Sequence, residues 1–71
     1  MHEFKINETV FNTRTRKWYK VTREGYRKGC IFARRLIGGR EGAEYGSEVQ
    51  IKAEYCRVWD EDHQSLVIVN Y

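Results

Sequence analysis

From Glu48 to Tyr55 the chain alternates polar and apolar residues without a break: Glu48-Val49-Gln50-Ile51-Lys52-Ala53-Glu54-Tyr55. A period of two fits a strand with one buried face and does not fit a helix, whose period is 3.6. Val49, Ile51, Ala53 and Tyr55 would face a core, with Glu48, Gln50, Lys52 and Glu54 facing water. The same reading extends along the chain. Cys30–Ile37 forms a strand that is apolar on both faces at its start. Lys17–Arg23 forms another, with Tyr19 and Val21 on one face and Trp18, Lys20 and Thr22 on the other. Phe4–Phe11 opens the chain as a strand or extended arm, and the β-branched run Ser65–Tyr71 closes it. No window has helical spacing.

The connectors suit antiparallel neighbours. Asn12–Arg16 is a short Asn- and Thr-rich turn, and Glu24–Gly29 has a glycine near each end. Gly38–Gly46 is the longest, with four glycines, and Trp59–His63 reads as one tight 3₁₀ turn before the last strand. Five short strands with one helical turn before the fifth describe an all-β fold, a five-stranded SH3-like antiparallel barrel occupying residues 1–71 as a single domain. An OB-type barrel is the rival. It is weaker because about 71 residues is short for that fold, whose usual helix between strands three and four is missing.

Size limits function. A chain of 71 residues buries only ~60% of its unfolded surface, so a deep catalytic cleft would consume much of its core. The N-terminus has no basic stretch followed by an apolar run, and no apolar run approaches the ~20 residues of a membrane span. Cys30 and Cys56 are the only cysteines, too few for a disulfide framework, so reduced thiols in the cytoplasm are expected.

Charge is the strongest functional signal. Between Asn12 and Arg40 ten lysines and arginines face only Glu24, a balance of +9. From Glu41 to Tyr71 seven acids face Lys52 and Arg57, a balance of −5. Such splits point to nucleic acid or to charged partners. If Tyr19 and Val21 point inward, Arg16, Trp18 and Lys20 point outward together. Two cations flanking an indole suit a phosphate backbone and a stacked base. Arg14, Arg23, Tyr26, Arg27 and Lys28 would extend this surface from the adjoining turns. Two plainer readings stand beside it. Trp18 can cover an open end of the barrel, and Glu48 and Glu54 can pair with Arg34 or Arg35 across the ladder.

Other clusters carry less. The Gly38–Gly46 loop lacks the Gly-Lys-Ser/Thr and helix start of a phosphate-binding loop, although its Arg40 and Tyr45 can contact a ligand. Asp60, Glu61, Asp62 and His63 can attract a divalent metal or a basic partner, including the basic face of a second copy. Cys30, Cys56, His2 and His63 lack the close pair spacing of a zinc site. No third group completes a Cys-His nucleophilic pair. The expectation is a non-catalytic protein without metal or cofactor.

The run Val10-Phe11-Asn12-Thr13-Arg14-Thr15-Arg16-Lys17-Trp18-Tyr19-Lys20-Val21 resembles the first hairpin of many SH3-like modules. In length and over its full run the chain looks like the YorP-like family of small prophage-derived proteins from Bacillus and its phages. That resemblance implies an SH3-like barrel, a phage origin, a place in the cytoplasm of the bacterial host, and no established activity or catalytic residue. The acidic-aromatic loop and the proline of signalling SH3 domains are absent, so no polyproline ligand is expected. The functional expectation is a binding module that contacts DNA, RNA or a nucleoprotein complex through Arg14, Arg16, Trp18, Lys20, Arg23, Tyr26, Arg27 and Lys28. The alternative is a protein-interaction module that docks on a host protein. Neither involves a membrane.

Overall fold

The computed structural model describes residues 3–24 and 28–68. Six strands form one antiparallel sheet: β1 (Thr9–Asn12), β2 (Lys17–Val21), β3 (Cys30–Ile37), β4 (Glu44–Lys52), β5 (Cys56–Asp60) and β6 (Ser65–Ile68). Their order across the sheet is β4-β3-β2-β1-β5-β6. Among the described residues no strand pairing joins β4 to β6, so the sheet is open. No helix is long and apolar enough to cross a membrane among these residues.

Alternation sets the two faces. Val10 and Asn12, Tyr19 and Val21, Ile31 and Ala33, and Cys56 and Val58 are buried on one side, together with Ile51 and Ala53. Phe4, fully buried, packs into the same core from the N-terminal arm. The arm is tied down where the backbone N–H of Asn7 donates to the carbonyl of Val21 (2.8 Å) and that of Val21 donates to Glu8 (2.9 Å). Asn12 is the one buried polar residue among those described. Its Oδ1 accepts the backbone N–H groups of Arg14 (2.9 Å) and Thr15 (3.2 Å), which closes the β1–β2 turn.

The five-stranded closed barrel expected from the sequence is corrected in both strand number and closure. β5 is the additional strand. The eight-residue alternation does not form one strand: β4 stops at Lys52, and Ala53–Tyr55 forms the 3₁₀ turn. Ala53 and Cys56 are both fully buried, and after the turn the chain leaves β3 and pairs as β5 with β1 at the other side of the sheet. Alternation then resumes, with Cys56 and Val58 inward and Arg57 and Trp59 outward. The expected 3₁₀ turn at Trp59–His63 is therefore misplaced, because Trp59 and Asp60 complete β5. The connection to β6 is a turn in which Asp60 Oδ1 accepts the N–H groups of Asp62 (3.0 Å) and His63 (3.3 Å).

The opening strand is shorter than expected, since Phe4–Glu8 is not strand. β2 ends at Val21 and β3 matches its expected bounds. β4 begins at Glu44, within the expected glycine loop. Residues Ser65–Ile68 of the expected last strand are strand, and its remaining positions lie outside the described residues, as do His2, Tyr26 and Arg27.

Candidate functional site

Register brings together charges that are distant in sequence. On the outer face, away from the core, Lys20 of β2 lies directly opposite Arg34 of β3. Like charges in directly opposed positions are destabilising. Arg34 is in turn opposite Glu48 of β4, as the sequence suggested, but that carboxylate is already engaged. Glu48 accepts the Thr22 hydroxyl at 2.6 Å and the Arg23 guanidinium at 2.9 Å. Those contacts, the Thr22 hydrogen bond first and then the charges of Arg23 and Arg34, hold its carboxyl below the ordinary value. Glu54, on the 3₁₀ turn, makes no ion pair among the described residues, and its carbonyl accepts from Arg57.

The opposed cations open onto a surface groove of about 260 Å³ lined by Ile6, Asn7, Lys20, Val21, Thr22, Arg34 and Tyr45. Tyr45 is 43% exposed and Ile6 53% exposed. The Arg34 guanidinium lies 5.7 Å from the Tyr45 ring centroid, and its Nε donates to the carbonyl of Gly46 at 2.7 Å. A bulge in β4 makes this possible. Gly46 and Ser47 both oppose Arg35, so the register slips by one and Tyr45 comes opposite Leu36 on the outer face. The groove thus offers two adjacent cations, an accessible phenol ring and an aliphatic wall, a combination suited to a phosphate chain carrying planar bases.

The residues expected to form the binding surface do not form a single group. Trp18 is half-buried, its ring edge-to-face with Phe11 (5.0 Å) and Trp59 (5.8 Å). It packs in an outer-face aromatic row of an open sheet, and so does not cover an open end of a barrel as the plainer reading had it. Arg16, with φ of 59°, belongs to the turn and not to the face of Lys20. Arg14 donates to the Tyr55 hydroxyl (3.1 Å) with its guanidinium 5.4 Å from the same ring. It lines a second groove, of about 350 Å³, with Asn12, Thr15, Gln50, Ile51, Lys52 and Tyr55. Arg23 is paired with Glu48 and lies 4.4 Å from the Phe32 ring. Lys28 is exposed, in a left-handed turn position.

Among the described residues, most cations of the basic window make no ion pair. Of the ten cations in the basic window, Arg23 and Arg40 are those with ion pairs among the described residues, to Glu48 and Glu41. Arg16, Lys17, Lys20, Lys28 and Arg35 have no side-chain partner there. Arg40 is committed elsewhere. From the glycine-rich loop it stacks 4.2 Å from the Trp59 ring and caps the aromatic row.

The remaining clusters have structural roles. His63 Nδ1 lies 2.6 Å from Asp60 Oδ2, and this bond, with the backbone N–H groups of the turn, depresses the Asp60 carboxyl. The Cys56 thiol donates to the Lys52 carbonyl at 3.4 Å, and burial pushes its pKa up to about 11. Among the described residues no three His, Cys, Asp or Glu side chains converge as a metal site would require.

No protein-family model matches the chain, and no curated protein or solved structure is similar enough to count as a relative.

Proposed function

We propose that this protein is a non-catalytic module that binds a nucleic-acid backbone, with the Lys20–Arg34 groove as its contact surface. The observation that carries this reading is the like-charged pair itself. Lys20 and Arg34 face one another across the β2–β3 ladder beside an exposed tyrosine, an arrangement that costs stability in the free protein and is relieved by an anion. Arg16, Lys17 and Lys28 add unpaired positive charge elsewhere on the molecule and favour encounter with a polyanion. Phosphate contacts of this kind position a strand without reading its bases, so sequence preference is weak.

The chain arrangement supports an SH3-like architecture for the module. The order β4-β3-β2-β1-β5, with the 3₁₀ turn between β4 and β5, is the order of such barrels, here left open and extended by β6. It is compatible with the resemblance to YorP-like prophage proteins and with a place in a bacterial cytoplasm, but neither is needed for the binding argument.

The test is a mobility-shift series with single-stranded DNA, duplex DNA and RNA across rising salt. Binding must weaken linearly on a log–log plot as cations are displaced. Absence of a shift with every nucleic acid at low salt overturns the reading. A stoichiometric complex with a host protein that is insensitive to Lys20 and Arg34 substitution would favour the protein-docking alternative instead.

A further inference from the structure

Tyr45 is the one exposed aromatic residue among those described. The other rings are spent. Phe11, Trp18 and Trp59 pack on one another, Phe32 lies beneath Arg23, Tyr55 beneath Arg14, and Phe4 and Tyr19 are in the core. An exposed ring on an edge strand adds little to the fold, yet the local structure is arranged around this one. The β4 bulge brings it to the outer face, and bulges commonly re-aim a side chain in this way. Arg34 lies against one side of the ring, its guanidinium 5.7 Å from the centroid and tethered through Nε to the Gly46 carbonyl. No second ring or guanidinium is seated on the other side among the described residues.

Resting on the reading of this groove as a nucleic-acid site, we infer that its ligand is single-stranded. An unpaired base stacks on the open face of Tyr45, and the flanking phosphates sit on Lys20 and Arg34. The bond to Gly46 uses the Arg34 Nε–H, and the terminal amino groups have no acceptor among the described residues, so they are placed to donate to a phosphate. Glu48, the acid opposite Arg34, has Oε2 on the Thr22 hydroxyl and Oε1 on Arg23, so both of its oxygens are held by other donors. Ile6 adds an apolar wall to the same groove, and Asn7 an amide able to hydrogen-bond a sugar or a base edge.

A duplex cannot make the same contact. Its bases are covered on both faces by their neighbours, so Tyr45 would have nothing to stack on and charge alone would hold the ligand. Charge alone favours the duplex, whose phosphates are denser along the axis and whose counterion release per contact is larger. A preference for the single strand therefore measures the ring and not the cations. The size of the groove agrees. At about 260 Å³ it falls below the ~300–1,000 Å³ of pockets that enclose a whole drug-sized ligand, which leaves room for one splayed base and not for a base pair. Every base has a π-face, so this contact is indifferent to sequence.

Fluorescence anisotropy of the full chain at about 50 mM salt tests this with three labelled probes. They are an oligothymidylate of about eight nucleotides, an abasic strand of the same length, and a GC-rich duplex. The wild type should bind the oligothymidylate more tightly than either of the others. Tyr45→Leu, with an unchanged circular dichroism spectrum, should lose about 5- to 150-fold on the oligothymidylate and nothing on the abasic strand or the duplex. Tyr45→Phe should behave as wild type. Duplex bound as tightly as the oligothymidylate overturns the inference. So does a harmless Tyr45→Leu, a loss that is equal on all three probes, or a Tyr45→Phe as damaging as Tyr45→Leu, since the hydroxyl and not the ring would then make the contact. Binding without preference removes this inference alone, whereas no binding to any probe removes the nucleic-acid reading beneath it.

Discussion

Two patches on the outer face of the sheet combine aromatic rings with cations, and they use them in opposite ways. In the Phe11–Trp18–Trp59 row the rings pack edge to face on one another, and Arg40 closes over the end. In the groove beside it, Lys20 and Arg34 are directly opposed, the neighbouring Glu48 is hydrogen-bonded to Thr22 and Arg23, and Tyr45 is accessible. The rings of the first patch are spent on one another and on Arg40. The cations and the ring of the second stay accessible to a ligand. A basic-aromatic sequence therefore does not by itself identify a binding surface, because register decides which rings and charges remain available.

The sharpest way to separate the patches is to damage the row. Trp18→Ala should cost about 3 kcal/mol, the low end for a tryptophan truncation because the ring is half-buried. Urea denaturation measures it, and nucleic-acid affinity per folded molecule should be retained. If Trp18→Ala keeps full stability but loses binding, the comparison is wrong and Trp18 is a stacking platform. Should that variant fail to fold, Trp18→Phe gives the same contrast at a smaller cost.

The converse variant, Lys20→Gln with Arg34→Gln, should leave stability within ~0.5 kcal/mol of wild type. Its affinity should fall about 10- to 100-fold at low salt, and the salt slope should lose about two units. Fluorescence anisotropy across a salt series provides both numbers.

Arg40→Ala has a smaller effect, at most about 1 kcal/mol, the range of an exposed cation–π contact. The Trp59 Nε1–H is buried without an acceptor among the described residues. Removing the cap would hydrate that donor and offset part of the loss. Tryptophan emission should shift to the red, with binding unchanged.

The smallest expected effect is on pH. The folded Glu48 carboxyl is depressed, so its contribution to stability is present above its unfolded pKa and is lost as pH falls through the lower folded value. Thr22→Val removes the largest cause and should move the Glu48 midpoint upward in a carboxyl-carbon NMR titration. An unchanged midpoint would mean that the Thr22 hydroxyl does not hold Glu48.

How far the fold could be read in advance follows from the range of each signal. β2 was legible because Tyr19 and Val21 alternate with Lys20 and Thr22, and β3 because Cys30–Ile37 opens as a short apolar run following a glycine-bounded connector. β5 was not, since the polar/apolar alternation of the sequence runs on through Ala53–Tyr55 and hides the 3₁₀ turn, across which the buried positions shift from Ile51 and Ala53 to Cys56 and Val58. The Gly46–Ser47 bulge has no local signature beyond a glycine, yet it sets Tyr45 on the outer face. The site was legible as charge but not as geometry. Lys20 and Tyr45 stand out in the sequence as candidate contacts, whereas Arg34 and Arg35 read equally as partners for Glu48 or Glu54, and Ile6 reads only as part of the opening strand or arm. Their proximity is a property of strand register and of the fixed N-terminal arm, which depend on contacts distant in sequence.

The central claim is that the Lys20–Arg34 groove, and not the hairpin turn, receives the anion. It is tested most directly by backbone amide chemical-shift mapping during titration with a short single-stranded oligonucleotide at low salt. The account predicts saturable shifts concentrated at Lys20, Thr22, Arg34 and Tyr45. Shifts concentrated at Arg14, Arg16 and Lys28, with those four residues unmoved, would contradict it.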